Sequence, residues 1–471
     1  METCVDRVVR LLHFLQANIV NSIFSAIDGF FFRKISASGF GLMRIVWAAC
    51  ILFMMLGSGA DTVRYYSNSG IIPRSIWHLA FRSQYRFTVL DWITAPEPVV
   101  LLWTTFMLCL FFMMLGIHSR LMTVLSVLLL ASFHERNLQI INAGDTLFQI
   151  MGWILMISPR VDAFSLDRLR HQYHTWMKKG KLLPPIRSSI WAYRLLLWQL
   201  IVLYLMSGWA KLHGHMWGAG TAIASTFHHT DYFRFPKIFA DYLTIVSPFF
   251  SRFWLLYAPL WGLLLIPKSV WRFFPPFFRR HSLKRWLLIG GAFVHACIGF
   301  FMDVGAWGIV MQVGFIGVLL DEDFSAMRSF FNRRWKRRYS LAQAKKIGET
   351  ISITVLYDGS CTFCRRSIFV LVMLDHLHRL TIVNFREPAI RKKYAPDISE
   401  KDLNRALHIR FPDRSTFSGF HAFRQLASNL PLLWIFVPIL HLPLASYIGS
   451  KLYRRISSSR AMCSDNSCSH S

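Results

Sequence analysis

At 471 residues, 54% of them hydrophobic and only 17% charged, the chain excludes a soluble protein of two or three domains, whose charge would be spread over every surface. The net charge of +28 comes from 53 Lys and Arg against 25 Asp and Glu. Those cations cluster between apolar runs and form no aromatic-interleaved stripe, so they point to a lipid bilayer as partner and to no nucleic acid.

Residues 1–32 place Leu11, Phe14, Leu15, Ile19, Ile23, Phe24, Ile27 and Phe31 at helical spacing, which predicts an amphipathic helix lying in a membrane interface. Asp6 and the interrupted apolar run argue against a signal peptide. Residues 99–116 carry no charge and approach the ~20 residues needed to cross a bilayer. Similar segments lie at 41–57, 121–133, 144–158, 189–209, 252–267, 286–302 and 304–320. The expected fold class is therefore a polytopic α-helical membrane bundle of about eight spans over 33–322, followed by a small α/β domain. The clusters Arg160–Arg187, Lys268–Arg285 and Arg328–Lys346 mark the inner side, with Arg33 and Lys34 holding the N-terminus there. This predicts a multi-pass protein with both termini cytoplasmic and with 58–96 and 211–250 outside. Arg64, Arg74, Arg82 and Arg86 in the first outer segment run against the pattern.

Residues 323–350 read as a basic linker. From 351 to 456 the pattern predicts a strand at 351–357, a helix at 363–378, a strand at 381–385, a hairpin near 407–418 and a helix at 419–429. The apolar stretch 431–448 contains three prolines and ends in Lys451, Arg454 and Arg455, so it reads as a membrane-apposed helix and not as a further span. Residues 457–471 read as a disordered tail.

Of the eight cysteines, Cys361 and Cys364 stand at the junction of the apolar strand and the following helix. A Cys-x-x-Cys there is a redox dithiol in a thioredoxin-like setting. Cys361 falls at the helix start, where unpaired N–H groups stabilise a thiolate, and Cys364 one turn on is within reach of a mixed disulfide formed at Cys361. Arg365 and Arg366 add positive charge. A zinc site or a structural cysteine pair are the other readings of this motif; no second Cys-x-x-Cys supplies the ligands zinc needs, so no metal is expected. Cys50, Cys109 and Cys297 read as small buried hydrophobes, and Cys463 and Cys468 read as part of a disordered polar tail, with a resolving pair or weak metal ligands as the other readings.

Polar groups within apolar spans are costly and therefore candidates for function. They gather at the expected outer ends: His134 to Asn137, Asn142 to Asp145, and Lys211 with His213, His215 and Trp217; His295 lies in mid-span. The plainer reading has Lys211 snorkelling to the interface and Asp145 neutralising Arg136.

Two resemblances sharpen these readings. The segment Tyr65 to Pro73, Asn142 to Asp145, and Ser-Gly-Trp-Ala-Lys-Leu at 207–212 with Trp217 and Gly220 resemble the HTTM domain, the membrane module related to vitamin K-dependent γ-carboxylase. That resemblance covers roughly 30–322 and implies that Lys211 is a base acting on a membrane quinone. The family's Asn-Asn-His element is matched here by Asn142, Ala143 and Gly144, without its histidine. Residues 353–456 resemble the DCC-type thiol–disulfide oxidoreductases, through Tyr-Asp-Gly-x-Cys-x-x-Cys at 357–364, Asp375, and the run Ser446 to Arg455. This implies a thioredoxin-like fold and disulfide reductase activity on an unidentified thiol or disulfide substrate, protein or small molecule. Asp358 then shapes the loop or assists proton transfer at Cys361. No proline precedes the strand at 407, where thioredoxin carries one facing its dithiol. The reading is a membrane-anchored thiol–disulfide oxidoreductase with catalytic candidates Cys361, Cys364, Asp358 and Lys211. A γ-carboxylase-like enzyme acting through Lys211 and a non-catalytic membrane scaffold or transport accessory are the alternatives.

Overall fold

The computed structural model describes residues 21–22, 24–80, 88–266, 270–275, 279–343 and 352–458. The segment 1–20, most of the polar tail with Cys463 and Cys468, and Arg82 and Arg86 lie outside them. The chain is mostly helical and divides into two units. The first comprises 1–169 with 185–321, the second 170–184 with 322–471.

In the first unit the helices Ser38–Gly57, Pro96–Leu115, Trp191–Leu212 and Arg280–Phe301 have 20–22 residues and are apolar enough to cross a membrane. Each is about 30 Å long at 1.5 Å per residue. Lys237–Thr244 and Ser247–Leu265 make a further candidate if a pair bent by 66° counts as one span. Among the described residues the chain thus has four helices able to cross, or up to six if each bent pair counts as one span, and the expected eight are not confirmed. Ala143–Ile157 has 15 residues and Trp307–Gly317 has 11, too short to cross alone, and Ser119–Arg136 holds Arg120, Glu135 and Arg136. Apolar composition marks these segments in the sequence, but length and charge decide what can cross.

Trp47, Leu110, Phe133, Met151, Leu196 and Val313 form the centre of this unit. Trp47 is fully buried and donates its Nε1–H to Phe148 O at 2.8 Å. Many outward-facing side chains are also apolar, among them Phe53, Leu101, Leu256 and Trp286, as in a bundle solvated by lipid. Helices approach closely where side chains vanish: a Cβ on Gly308 would meet the Gly299 Cα at 2.8 Å. Strand β1 (Lys34–Ser36) pairs antiparallel with β2 (Arg187–Ser189), tying the two basic segments together.

The Tyr65-to-Pro73 segment is a loop wrapped on a buried arginine. Arg136 donates to Ser67 O at 3.0 Å and Ile72 O at 2.9 Å, and Asn137 Nδ2 donates to Tyr65 O. Asp145 instead caps its own helix, accepting from Asn142 N at 2.9 Å. Arg136 and Asp145 thus satisfy backbone groups in place of one another.

The second unit is built on a mixed sheet in the order β4-β3-β5-β6. Strand β3 (Ile353–Tyr357) runs parallel to β4 (Leu380–Asn384) and antiparallel to β5 (His408–Arg410), which pairs antiparallel with β6 (Thr416–Ser418). The pleat sends alternate residues to opposite faces. Val355 joins Ile368, Phe369, Ile409 and Leu426 on one face, whereas Leu356 joins Val383, Phe385 and Leu403 on the other. A strand buried on both faces reads as a continuous apolar run, which is why β3 was legible in the sequence.

Two segments distant in sequence complete this unit. Trp176 is only 6% exposed within the β3 core, and Tyr173 packs edge-on against Phe369 at 5.3 Å. The stretch 323–350 is helical through Gln343. From it Asn332 Oδ1 accepts from Arg379 Nε at 2.8 Å, and Trp335 Nε1 donates to Asn429 Oδ1 at 2.9 Å.

Candidate active site

Strand β3 ends at Tyr357, and the helix Thr362–Leu374 begins four residues later. Cys361 is the N-cap of that helix, and its Sγ accepts the Cys364 backbone N–H at 3.3 Å. The sulfur therefore faces amide hydrogens that favour a negative charge. Cys361 is half-buried, open to an incoming disulfide, while Cys364 in the first turn is buried. Phe363 between them is exposed.

The loop carrying Cys361 is held from the neighbouring strand. Asn384, the last residue of β4, accepts Gly359 N–H at 2.9 Å and Arg386 N–H at 3.2 Å through one oxygen. A Cβ on Gly359 would meet Asn384 Nδ2 at 2.5 Å, so this close approach requires glycine. Asp358 accepts Ser360 N–H at 2.9 Å and pairs in bidentate fashion with Arg386, at 3.0 Å to Nε and 2.7 Å to Nη2. Burial pushes the Asp358 carboxyl up, but the Arg386 hydrogen bonds and the Ser360 and Cys361 amides outweigh it. The group titrates below its ordinary range, so at neutral pH it is a carboxylate with no proton to give.

Arg365 is also committed. Its Nη2 donates to Trp176 O at 2.9 Å and to Met177 O, while Trp176 Nε1 returns a bond to Arg365 O at 2.8 Å. The guanidinium caps the end of the Leu166–Lys179 helix. Asp375 accepts from Arg379 N and Leu380 N, fixing the turn into β4. Asn384, Arg386 and Trp176 were not singled out in the sequence. The one available signal was a polar Asn ending an apolar strand and closely followed by Arg.

Residues 355–465 match the DCC1-like thiol-disulfide oxidoreductase family. The match takes in Asp358, Cys361 and Cys364 and stops short of residues 30–322, where no family model supports the HTTM resemblance. No curated protein and no solved structure matches the chain. Among the described residues no group of three or more His, Cys, Asp or Glu is placed to hold a metal ion.

Lys211 lies in the first unit, and the Cys361–Cys364 pair in the second. Its Nζ donates to Ser207 Oγ at 2.5 Å and sits 5.0 Å from the Trp217 ring and 5.4 Å from the Trp254 ring. No carboxylate pairs with it among the described residues; Asp145 is engaged with Asn142.

The Asp358–Arg386 pair makes a pH-dependent prediction. Asp358→Asn keeps an oxygen for Ser360 N–H but removes the charge, and hydrogen bonds to charged groups contribute about 1.5–3 kcal/mol. Hydrogen exchange of β3 and β4 amides should report a loss of that size at pH 7. Because the folded-state carboxyl titrates low, its contribution is complete above the ordinary carboxylate range and disappears as pH falls through the depressed value. Wild type and variant should therefore converge in acid; a gap that persists undiminished there would refute the charge-based account.

Proposed function

We propose that the chain is a membrane-anchored thiol–disulfide oxidoreductase, with Cys361 as nucleophile and Cys364 as resolving thiol. The observation that carries this reading is Cys361 at a helix N-cap with its sulfur on an amide hydrogen, inside a segment matching an oxidoreductase family. The order β4-β3-β5-β6 with the dithiol after the central strand supports a thioredoxin-like architecture.

In the reducing direction, Cys361 thiolate attacks one sulfur of a substrate disulfide. The S–S bond breaks, one substrate thiolate leaves and takes up a proton, and a mixed disulfide forms on Cys361. Cys364, as thiolate, then attacks Cys361 Sγ and expels the second substrate thiolate. The substrate has gained two electrons and two protons, and the enzyme holds a Cys361–Cys364 disulfide. A thiol reductant, acting by the same exchange, resets it. Asp358 acts by fixing the loop through Arg386 and Ser360, since an ionised carboxylate cannot serve as the proton donor.

The basic segments support a cytoplasmic dithiol as part of this reading. Residues 170–184 and 322–343 belong to one folded unit, so both must lie on one side, and both are rich in Lys and Arg. The reading is tested by alkylation of the full chain below pH 8. Cys361 should react faster than every other cysteine, Cys463 included. Equal rates at Cys361 and Cys463 would reduce the motif to a structural pair.

A second reading, a quinone- or peptide-modifying activity through Lys211, is favoured by one feature of the first unit. His295 is 2% exposed, bonds Tyr204 OH through Nε2 at 3.2 Å, and leaves Nδ1 without a partner. Its ring lies 6.4 Å from Trp254, the residue whose face also meets Lys211. A polar atom stranded among aromatic rings fits a flat ligand such as a membrane hydroquinone, the reduced form of a quinone, whose hydroxyl proton a base could remove. Lys211→Arg should then insert normally and lose this activity, because guanidinium stays protonated. Free substitution by Arg would leave Lys211 as a snorkelling cation.

A further inference from the structure

We infer that the second unit docks on the bilayer through residues 431–456, which form an in-plane elbow seated in a leaflet with anionic headgroups. This inference rests on the membrane placement of the chain and is independent of the dithiol chemistry.

The helix Pro443–Ser458 is amphipathic in the reverse sense to a helix on a soluble domain, which buries its apolar stripe. Its inward side is small and polar. A Cβ on Gly449 would meet the Phe420 ring at 2.2 Å, Ser446 Oγ accepts from Arg424 at 3.0 Å, and Tyr453 OH accepts from Leu407 N at 2.9 Å. With that side fixed against the domain, Leu444, Ile448 and Leu452, spaced one turn apart, all face outward and are exposed.

The preceding piece continues the same apolar face. Gly419–Asn429 and Pro431–Leu440 are together apolar enough for a span, but they bend by 116° at their junction. Such an angle returns the chain to the side it came from, and Pro431 and Pro438 keep the second piece from continuing the first helix. Ile435 is 76% exposed, with Leu432 and Ile439 also outward.

Charge selects the occupant. Residues 431–458 contain no Asp or Glu, whereas Lys451, Arg454 and Arg455 lie along the helix. An apolar stripe bordered only by cations matches hydrocarbon capped by anionic headgroups. A protein partner for so basic a rim would have to bring its own acidic surface, and the chain's own balance is strongly positive.

The test is photolabelling of the full chain, reconstituted in phosphatidylcholine–phosphatidylserine vesicles containing a lipid with a diazirine in its acyl chain. Adducts mapped by mass spectrometry should appear in 431–456 as well as in the Pro96–Leu115 helix, and not on the polar segment 397–402. Ile448→Glu combined with Leu452→Glu should lower labelling of 431–456 by about tenfold, because charge is rejected from hydrocarbon. Labelling of Pro96–Leu115 and alkylation of Cys361 should stay unchanged. Leu444→Glu, at a 70% exposed position, should act in the same direction if the double variant misfolds. Adducts confined to the helices of the first unit would overturn the inference. So would replacement of lipid adducts by cross-links to a second copy or to the chain itself. Disulfide turnover measured on the same vesicles separates the two claims: turnover without labelling removes the docking surface alone, and labelling without turnover removes the oxidoreductase reading alone.

Discussion

Cys361→Ser should abolish disulfide reduction by the 471-residue chain, lowering turnover by more than about a thousandfold, as expected when a nucleophile is deleted. The hydroxyl remains a competent N-cap and accepts the same amide hydrogen, so the helix and the loop should persist. Cys364→Ser should behave differently. Cys361 still attacks, but nothing displaces the mixed disulfide, and the enzyme should stall after a single exchange. Initial rates and a stopped-burst amplitude on membranes separate the two variants. Equal residual turnover in both would mean that the sulfurs are not used in sequence.

Trp176→Ala should disable the same chemistry although the residue lies 189 positions before Arg365 in the chain. Its indole is buried in the β3 core, lies 6.5 Å from Tyr357 in a stacked arrangement, and donates to Arg365 O. Truncating a buried Trp costs about 3–5 kcal/mol. A domain's whole stability is about 5–15 kcal/mol, so about a fifth or more would be lost. Hydrogen exchange should accelerate across β3 and the Thr362–Leu374 helix, with turnover falling in step. Lys178→Ala, two residues away and exposed, should change neither. Exchange in Trp176→Ala equal to wild type would show that the 170–184 segment is not part of the redox unit.

What could be read in advance follows from what local pattern encodes. The apolar β-branched run at 353–357 and the cysteine spacing sufficed to place β3, the helix and the dithiol, and the hairpin fell at 408–418 as its spacing suggested. Helix length was less legible. An apolar stretch such as 304–320 shows no sign in its composition that only Trp307–Gly317 will be helical. Pairing of distant groups was not legible at all. Arg136 and Asp145 are close in sequence and opposite in charge, yet each binds backbone, because loop carbonyls and a helix N-terminus lie nearer than the other's charge. Arg365 suggested thiolate stabilisation by its position beside Cys364; its donors instead go to Trp176 and Met177. Trp176 itself sits in a basic stretch whose charge dominates its pattern, and only tertiary packing gives the indole its place.

The most direct test is to trap the intermediate. The Cys364→Ser chain, isolated under non-reducing conditions with thiols blocked, should carry a second molecule disulfide-bonded to Cys361, identifiable by mass spectrometry after digestion. The Cys361→Ser, Cys364→Ser double variant should carry none. The account would be contradicted if Cys361 bore no mixed disulfide, or if Cys364 in a Cys361→Ser background trapped the same partner to the same extent.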